Sequence, residues 1–319
     1  MENPVISIIV TVYNHERYIE RCLRSIAMQE CEYPFEVFIG EDCSPDNTRA
    51  VMKRIEPEFP GNFHFLYREH NLGDDNNTDL LRRCTGKYLA ICEGDDFWTD
   101  KRKLQNQVSF LEGHPDYIAG FHHCTVVGED SLPNGEKYPD CLKDDYSFKE
   151  FFYCTMPGQT ASFMVRRVKY ETEKKKFLAC KQFDRYPEDR RNAFILLANG
   201  KVKVFQETWS AYRHVVTGGT SYSSRVKVNE AYARNEVMFG KTLMDYSEIV
   251  HNDEAYRAAR RFYYRVLLKW SVGSVRIYPL SHSLLEVLRQ RDAIMLLLGV
   301  VQWYAVLGMR SFLGRGVTL

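Results

Sequence analysis

Acidic side chains gather at three places where they could do chemistry. Glu93, Asp95 and Asp96 directly follow the apolar run Tyr88-Leu89-Ala90-Ile91-Cys92. Two carboxylates ~4 Å apart repel by about 4 kcal/mol at an effective dielectric near 20. An apolar run feeding such a crowd makes sense if a divalent cation sits there. Hard oxygen ligands suit Mg²⁺ or Mn²⁺, which take one or two carboxylates together with substrate phosphates. Glu41-Asp42, with Ser44, Asp46 and Asn47, follows a second apolar run, and Pro187-Glu188-Asp189 opens an amphipathic one. A fourth polar group, Tyr212-Arg213-His214, leads into Thr217-Gly218-Gly219-Thr220-Ser221 and offers a cation and an imidazole. Each group also has a plain structural explanation. Acidic residues are favoured in a first helical turn, Asp46 suits an Asx turn, and a lone histidine is more often structural than a ligand.

The elements that must position these groups alternate between two periods. Val5 to Val12 is a nearly unbroken β-branched run, fit for a strand buried on both faces. Ile19, Cys22, Leu23 and Ile26 then fall on one helical face, with Asn14 as a candidate cap. Strands are expected at Phe35–Ile39, Phe63–Tyr67 and Tyr88–Cys92, and helices at Thr48–Ile55, Asn76–Arg83 and around Leu104, Val108 and Leu111. Such alternation argues for a mostly parallel sheet flanked by helices, in which ligands bind beyond the carboxyl ends of the strands. The acidic groups lie at those ends. Capping alone does not require that.

Further on, residues 130–145 read as a loop, Phe163–Val165 and Val202–Val204 as strands, and Asp189–Ala198 as a helix. After about residue 226 the texture becomes helical, giving an expected division into 1–225 and a C-terminal extension, 226–319. Ala293–Met309 is the most hydrophobic stretch, at the lower limit of the roughly 20 residues that cross a bilayer. From Glu254 onward ten Arg and Lys stand against three Asp and Glu, which suits an anionic membrane surface. Packing of this tail on its own domain or on a second chain competes with that reading, so a homo-oligomer stays open. The whole chain carries 43 Lys and Arg against 42 Asp and Glu, which gives no reason to expect a nucleic-acid partner. No basic-then-apolar leader opens the sequence, and nine scattered cysteines without a CxxC pair favour reduced thiols in a cytoplasmic setting. Cys22 and Cys92 fall in apolar patterns and are expected simply to pack.

Taken in order, Val5 to Asn14, Glu41 to Thr48, Asn71-Leu72-Gly73 and Gly86 to Trp98 resemble the family 2 glycosyltransferases of the GT-A fold. The likeness continues through Lys103-Leu104-Gln105 and, more loosely, from Asp189 to Ser221, leaving 226–319 outside it. The resemblance implies an α/β, Rossmann-like fold and an inverting, metal-dependent transfer of sugar from a nucleotide-sugar donor, a UDP-sugar above all. The acceptor would be a hydroxyl of a glycan or a lipid-linked molecule, in surface polysaccharide or lipopolysaccharide synthesis at the inner face of a membrane. By the same resemblance Tyr13 stacks on the base with Thr11 nearby, and Asp42 hydrogen-bonds the uracil edge. Asp95 contacts ribose, Asp96 holds Mn²⁺ or Mg²⁺, and Glu93 takes the place of an Asp at that motif's first position. Asp189, beside Glu188, stands as the catalytic base. The family loop often reads Tyr-Arg-x-His, so Arg213 and His214 are the corresponding candidates for phosphate or metal, although here the histidine directly follows the arginine. Cys43 stands where glycine is common.

Two other functions compete. A sugar nucleotidyltransferase would share the alternating architecture, but Val12-Tyr13-Asn14-His15-Glu16 lacks the Gly-rich phosphate loop it would want. A non-catalytic nucleotide-sugar binder would have no need to keep every acidic position. Donor specificity is assigned to loops such as 130–145 and Pro157-Gly158-Gln159-Thr160.

Overall fold

A computed structural model describes residues 3–184, 186–215, 228–272, 275 and 277–312. By internal contacts the chain divides into two compact units. The first comprises Met1–Asp145, Pro157–Tyr170 and Lys201–Ser224, and the second Tyr146–Met156, Glu171–Gly200 and Arg225–Leu319. A single boundary near residue 225 divides the chain differently, because the change of texture there marks only the last of three segments of the second unit.

The first unit begins as an α/β alternation: β1 (Ile6–Val12), α1 (Ile19–Ala27), β2 (Phe35–Glu41), α2 (Thr48–Ile55), β3 (Phe63–Tyr67), α3 (Asp74–Arg83), β4 (Tyr88–Glu93), β5 (Phe97–Trp98), α4 (Lys103–Gly113) and β6 (Tyr117–Val127). It is completed by β8 (Met164–Arg166) and β9 (Lys201–Arg213), with β7 (Asp145–Tyr146) beside β9. The sheet order is β3-β2-β1-β4-β8-β6-β9-β5. β3, β2, β1 and β4 are mutually parallel, whereas β8 runs antiparallel to both β4 and β6, and β6 pairs with β9 in parallel. This is the GT-A arrangement the resemblance implies.

β1 is buried on both faces, with Ile6, Ile8, Ile9 and Val10 fully enclosed. Against it lie Ile19, Cys22, Leu23 and Ile26 of α1 and Met52 and Ile55 of α2. Each such side chain contributes roughly 1.5–3 kcal/mol when withdrawn from water. The Sγ atoms of Cys22 and Cys92 lie 3.7 Å apart inside this core, and all nine cysteines are free thiols. Gly86 admits no side chain, since an added Cβ would lie 2.6 Å from the backbone nitrogen of Ser7.

Lys103 is fully buried at the start of α4. Its Nζ lies 4.0 Å from the centre of the Trp98 ring and has no hydrogen-bond partner among the described residues. Burial pushes its pKa down to about 7, against 10.5 for an ordinary lysine. The unfolded chain therefore keeps a proton that the folded chain has lost, and stability rises with pH between about 7 and 10.5. One such group contributes at most about 1.4 kcal/mol per pH unit. Lys103→Met is expected to raise the urea midpoint at pH 7 and to flatten that rise, as read from unfolding curves at pH 7 and pH 9.

The second unit is helical: α5 (Phe148–Phe152), most of α6 (Arg167–Ala179), α7 (Glu188–Asn199), α8 (Glu230–Ile249), α9 (Asp253–Val272), α10 (Leu280–Leu288) and α11 (Ala293–Phe312). Its core is aromatic, with Phe151, Phe177, Phe194, Phe239, Phe262 and Tyr246 buried together. Among the described residues no helix is long and apolar enough to cross a membrane.

Candidate functional site

β1 lies between β2 and β4, and the chain builds outward from β1 through β2 and β3 before returning to β4 on the other side. The strand order therefore reverses between β1 and β4, the position at which such sheets bind ligands. Backbone hydrogen bonds continue past the strand ends: Gly94 N–H donates to Thr11 O at 3.0 Å, and Asp42 N–H to Val12 O at 2.9 Å.

The loops after β1 and β2 are fastened to each other. Backbone N–H groups of Asn14, His15 and Glu16 donate to Ser44 Oγ (3.0 Å), Thr48 Oγ1 (2.8 Å) and Asp46 Oδ2 (3.1 Å). Asp46 also accepts from Thr48 N–H at 3.0 Å, the expected Asx turn. Asn14 does not cap α1, whose preceding residue is Tyr18; it turns the chain in the left-handed region, with φ of 63°. Cys43 has φ of 56°, which explains why glycine suits that place. Beneath it Glu41 is fully buried, receiving Arg49 Nε at 2.5 Å and Ser44 N–H at 2.6 Å. Sequence reasoning counted Glu41 in an acidic cluster but missed Arg49, whose only sequence cue is a basic residue in the helix that follows.

On this frame Tyr13, the residue directly after β1, is exposed at 38%, and Thr11 near the end of the strand is half-buried. Asp42 is 5% exposed, and its two oxygens accept Leu72 N–H (2.7 Å) and Gly73 N–H (2.9 Å). It thus fixes the Asn71-Leu72-Gly73 turn before α3, where Gly73 needs a φ of 57°.

The two adjacent aspartates after β4 differ sharply. Asp95 has a side chain 26% exposed, with Oδ1 3.8 Å from His15 Nε2. Asp96 is 1% exposed, accepts Arg213 N–H on Oδ1 (2.7 Å) and Gln159 Nε2–H on Oδ2 (3.0 Å). Burial, reinforced by the charges of Asp95 and Glu93, pushes its carboxyl well above the usual range. The metal-ligand role expected of Asp96 does not fit these contacts. A Mg²⁺ or Mn²⁺ ion that keeps waters and phosphates of its own needs an accessible carboxylate. Glu93 ends β4 half-buried. Gln159, expected in a specificity loop, is spent on Asp96 and on Ala161 N–H. His15, which the sequence did not single out, sits against Gly94: a Cβ there would lie 2.7 Å from His15 Nδ1.

Arg213 is not available to a phosphate. It is 3% exposed, with Nε donating to Asp95 O (2.9 Å), Nη1 to Gly128 O (2.5 Å) and Nη2 to Ser131 Oγ (2.7 Å), while its guanidinium covers Tyr18 at 4.0 Å. Burial lowers its pKa. His214 pairs through Nδ1 with Glu136 at 2.5 Å. Residues 217–221 of that motif lie outside the described residues. Tyr212 and Arg213 end β9 instead of beginning a loop.

Glu188 and Asp189 form the first turn of α7 in the second unit, both exposed. Glu188 contacts Arg191. Partial desolvation by neighbouring atoms pulls its carboxyl upward, but the charges of Arg191 and Lys174 outweigh that and hold it low.

Among the described residues no group of three or more His, Cys, Asp or Glu converges in a way that could hold a metal by itself. One accessible carboxylate, Asp95, does fit an ion that arrives with a diphosphate and shares its oxygens.

The comparisons bear on the same region. The family model described as "Glycosyl transferase family 2" matches residues 7–172, more than half of the chain. The chain belongs to glycosyl transferase family 2. Within this family 2 chain the match includes Tyr13, Asp42, Asp95 and Asp96 and stops short of Asp189. An uncharacterized protein of Mycobacterium tuberculosis is 39% identical over 142 residues, 44% of this chain and 41% of its own length. The chain thus spans less than half of that relative. The putative teichuronic acid biosynthesis glycosyltransferase TuaG of Bacillus subtilis is 26% identical over 228 residues, covering 66% of this chain and 88% of TuaG. The crystal structure of Staphylococcus aureus TarS 1–349 in complex with UDP-GlcNAc superposes with a TM-score of 0.62 at 16% identity, over 97% of this chain and 92% of TarS 1–349. At that identity the likeness is one of fold.

Proposed function

We propose that this family 2 chain is an inverting glycosyltransferase that moves a sugar from a UDP-sugar to a hydroxyl of a glycan or lipid-linked acceptor. The observation that carries the reading is the pairing of an exposed ring, Tyr13, with an accessible carboxylate, Asp95, at the ends of neighbouring parallel strands β1 and β4. The ring offers a stacking platform for the base. The edge of the base is assigned to Asp42, whose carboxylate is already oriented by Leu72 and Gly73 and keeps a second lone pair on each oxygen. Asp95 would hold a Mn²⁺ or Mg²⁺ ion shared with the diphosphate, with Glu93 adding negative charge nearby. When bound, such an ion neutralises the charge that develops on the diphosphate leaving group.

Asp189 is proposed as the base that takes the proton of the attacking hydroxyl. Its support is the resemblance and its exposure in the first turn of α7. Attack opposite to the leaving group inverts the anomeric centre in one displacement. That TarS has been crystallised with UDP-GlcNAc and TuaG is named for teichuronic acid synthesis supports a UDP-sugar donor and a surface glycan as product.

The test is release of UDP from a panel of UDP-sugars by the full chain with Mn²⁺. Release that stops on adding EDTA is the expected result. Donor binding without release under any acceptor would favour the non-catalytic binder instead. Base–aromatic stacking contributes about 1–3 kcal/mol, so Tyr13→Ala is expected to raise the donor KM by about 10-fold or more with little change in melting temperature.

The C-terminal helices are proposed to rest on an anionic membrane surface. α10 and α11 expose Leu285 (54%), Leu288 (59%), Ile294 (74%), Met295 (60%), Leu298 (56%) and Val301 (66%), with exposed Arg289 and Arg291 between the helices. Sedimentation with phosphatidylglycerol vesicles, lost in Leu298→Glu/Val301→Glu and weakened by salt, is the expected outcome. A dimer that the same changes dissolve would assign the face to a second copy.

A further inference from the structure

Inside the second unit two arginines converge on one sulfur. Cys154 follows α5 and is partly exposed, with its backbone in the left-handed region at φ of 58°. Arg265 of α9 is 2% exposed. Its Nη1 donates to Phe152 O at 2.9 Å and points at Cys154 Sγ at 3.6 Å, and its Nε is buried without a partner. Arg190 of α7 approaches the same place, with Nη2 donating to Phe151 O at 3.1 Å, Nε buried and unpartnered, and a charge that acts on the Cys154 thiol. Both guanidiniums lie over Phe262. Among the described residues their partners are carbonyl oxygens and this sulfur, with no carboxylate.

The buried Arg265 cation needs an anion, and among its described hydrogen-bond partners only the Cys154 sulfur can become one. We propose that Cys154, Arg190 and Arg265 form a reactive thiolate site that takes small electrophiles and whose modification disturbs the first turn of α7.

The electrostatics agree with the geometry. Burial pushes the thiol up, but Arg190 and Arg265 outweigh it and bring its pKa down to about 6. Other titratable groups acting on the cluster are Tyr146 and Tyr186, through Arg190, and Tyr304, through Arg265. Burial, and then Glu236, pushes Tyr186 well up, so it stays neutral. A low-pKa thiolate is nucleophilic at neutral pH, whereas an ordinary buried thiol is inert. With iodoacetamide the sulfur displaces iodide and a thioether forms. With hydrogen peroxide the sulfur takes one oxygen, giving a sulfenate and releasing water. Either product enlarges the sulfur inside the cluster, and Arg190 is the residue after Asp189. The consequence for catalysis rests on the proposed role of Asp189. The labelling does not, so the two can fail separately.

The experiment follows iodoacetamide labelling of Cys154 in the full folded chain by peptide mass spectrometry from pH 5 to pH 9, with a urea-unfolded control. Half-maximal rate near pH 6 is expected, moving upward by at least one pH unit in Arg190→Gln and in Arg265→Gln. If one variant fails to fold, the other decides. Where UDP release is measurable, labelled chain should lose kcat and keep its affinity for UDP. A midpoint near pH 9 in the wild-type chain, or labelling only after unfolding, overturns the thiolate site. Unchanged kcat after complete labelling overturns its link to α7.

Discussion

Asp189→Asn is expected to lower kcat by about 10²–10⁴-fold, the usual worth of a positioned proton acceptor, while the Kd for the UDP-sugar changes by less than about twofold. Asn has the same shape but cannot take the proton of the acceptor hydroxyl, so donor binding survives and attack does not. Asp189 is exposed on the first turn of α7 and Asn fills the same volume, so the change opens no cavity and the melting temperature should shift by no more than a few degrees. Glu188, one residue earlier, is the natural control. It is engaged with Arg191, and Glu188→Gln should cost far less activity. Wild-type turnover in Asp189→Asn would reassign the base.

The second large effect separates the two adjacent aspartates. Asp95→Asn should leave stability nearly unchanged, because that carboxylate is accessible and the His15 imidazole beside it is 3.8 Å away, beyond hydrogen-bond distance. Losing a charged ligand at the diphosphate should weaken metal-dependent donor binding by about 10–100-fold, the equivalent of about 1.5–3 kcal/mol. Asp96→Asn should act in the opposite way. Both Asp96 oxygens face donors, Arg213 N–H and the Gln159 amide. An Asn amide presents one acceptor and one N–H₂, so one donor would meet another. Gln159 cannot simply flip, since its Oε1 is held by Ala161 N–H. A buried unsatisfied donor costs about 1–3 kcal/mol, which for this size of protein lowers the melting temperature by roughly 2–10 °C. Calorimetric melting of the two variants beside a UDP titration distinguishes them. Equal behaviour of the two would mean that the difference in exposure is not functional.

Much of this was legible in the sequence, and for identifiable reasons. β1 announces itself because eight β-branched and small residues in a row suit a strand covered on both faces, and α1 because Ile19, Cys22, Leu23 and Ile26 recur at helical spacing. The placing of carboxylates at strand ends follows from the same alternation. β6 and β9 were less visible. β9 alternates from Val202 to Val204 and then carries Gln206 and Glu207 through a register shift opposite His122 and His123, which breaks the period of two. β6 includes two histidines that are read as polar although His122 is fully buried.

At the site the sequence could place residues but not aim them. Asp95 and Asp96 are identical in type and adjacent in order, and only the partners arriving from Gln159 and Arg213, 63 and 117 positions away, decide which one faces out. Arg213 illustrates the same limit: a cation beside the acidic group suggested a phosphate ligand, but three carbonyls and a serine consume it. Long-range pairing of this kind leaves no trace in local spacing.

The most direct test of the account is a calorimetric titration of UDP into the full chain, first with Mn²⁺ and then with EDTA. Saturable binding with Mn²⁺ that EDTA removes is the predicted result. A folded chain that ignores UDP, or binds it equally well without any divalent ion, would contradict the assignment of Asp95 and Tyr13 to a metal-assisted donor site.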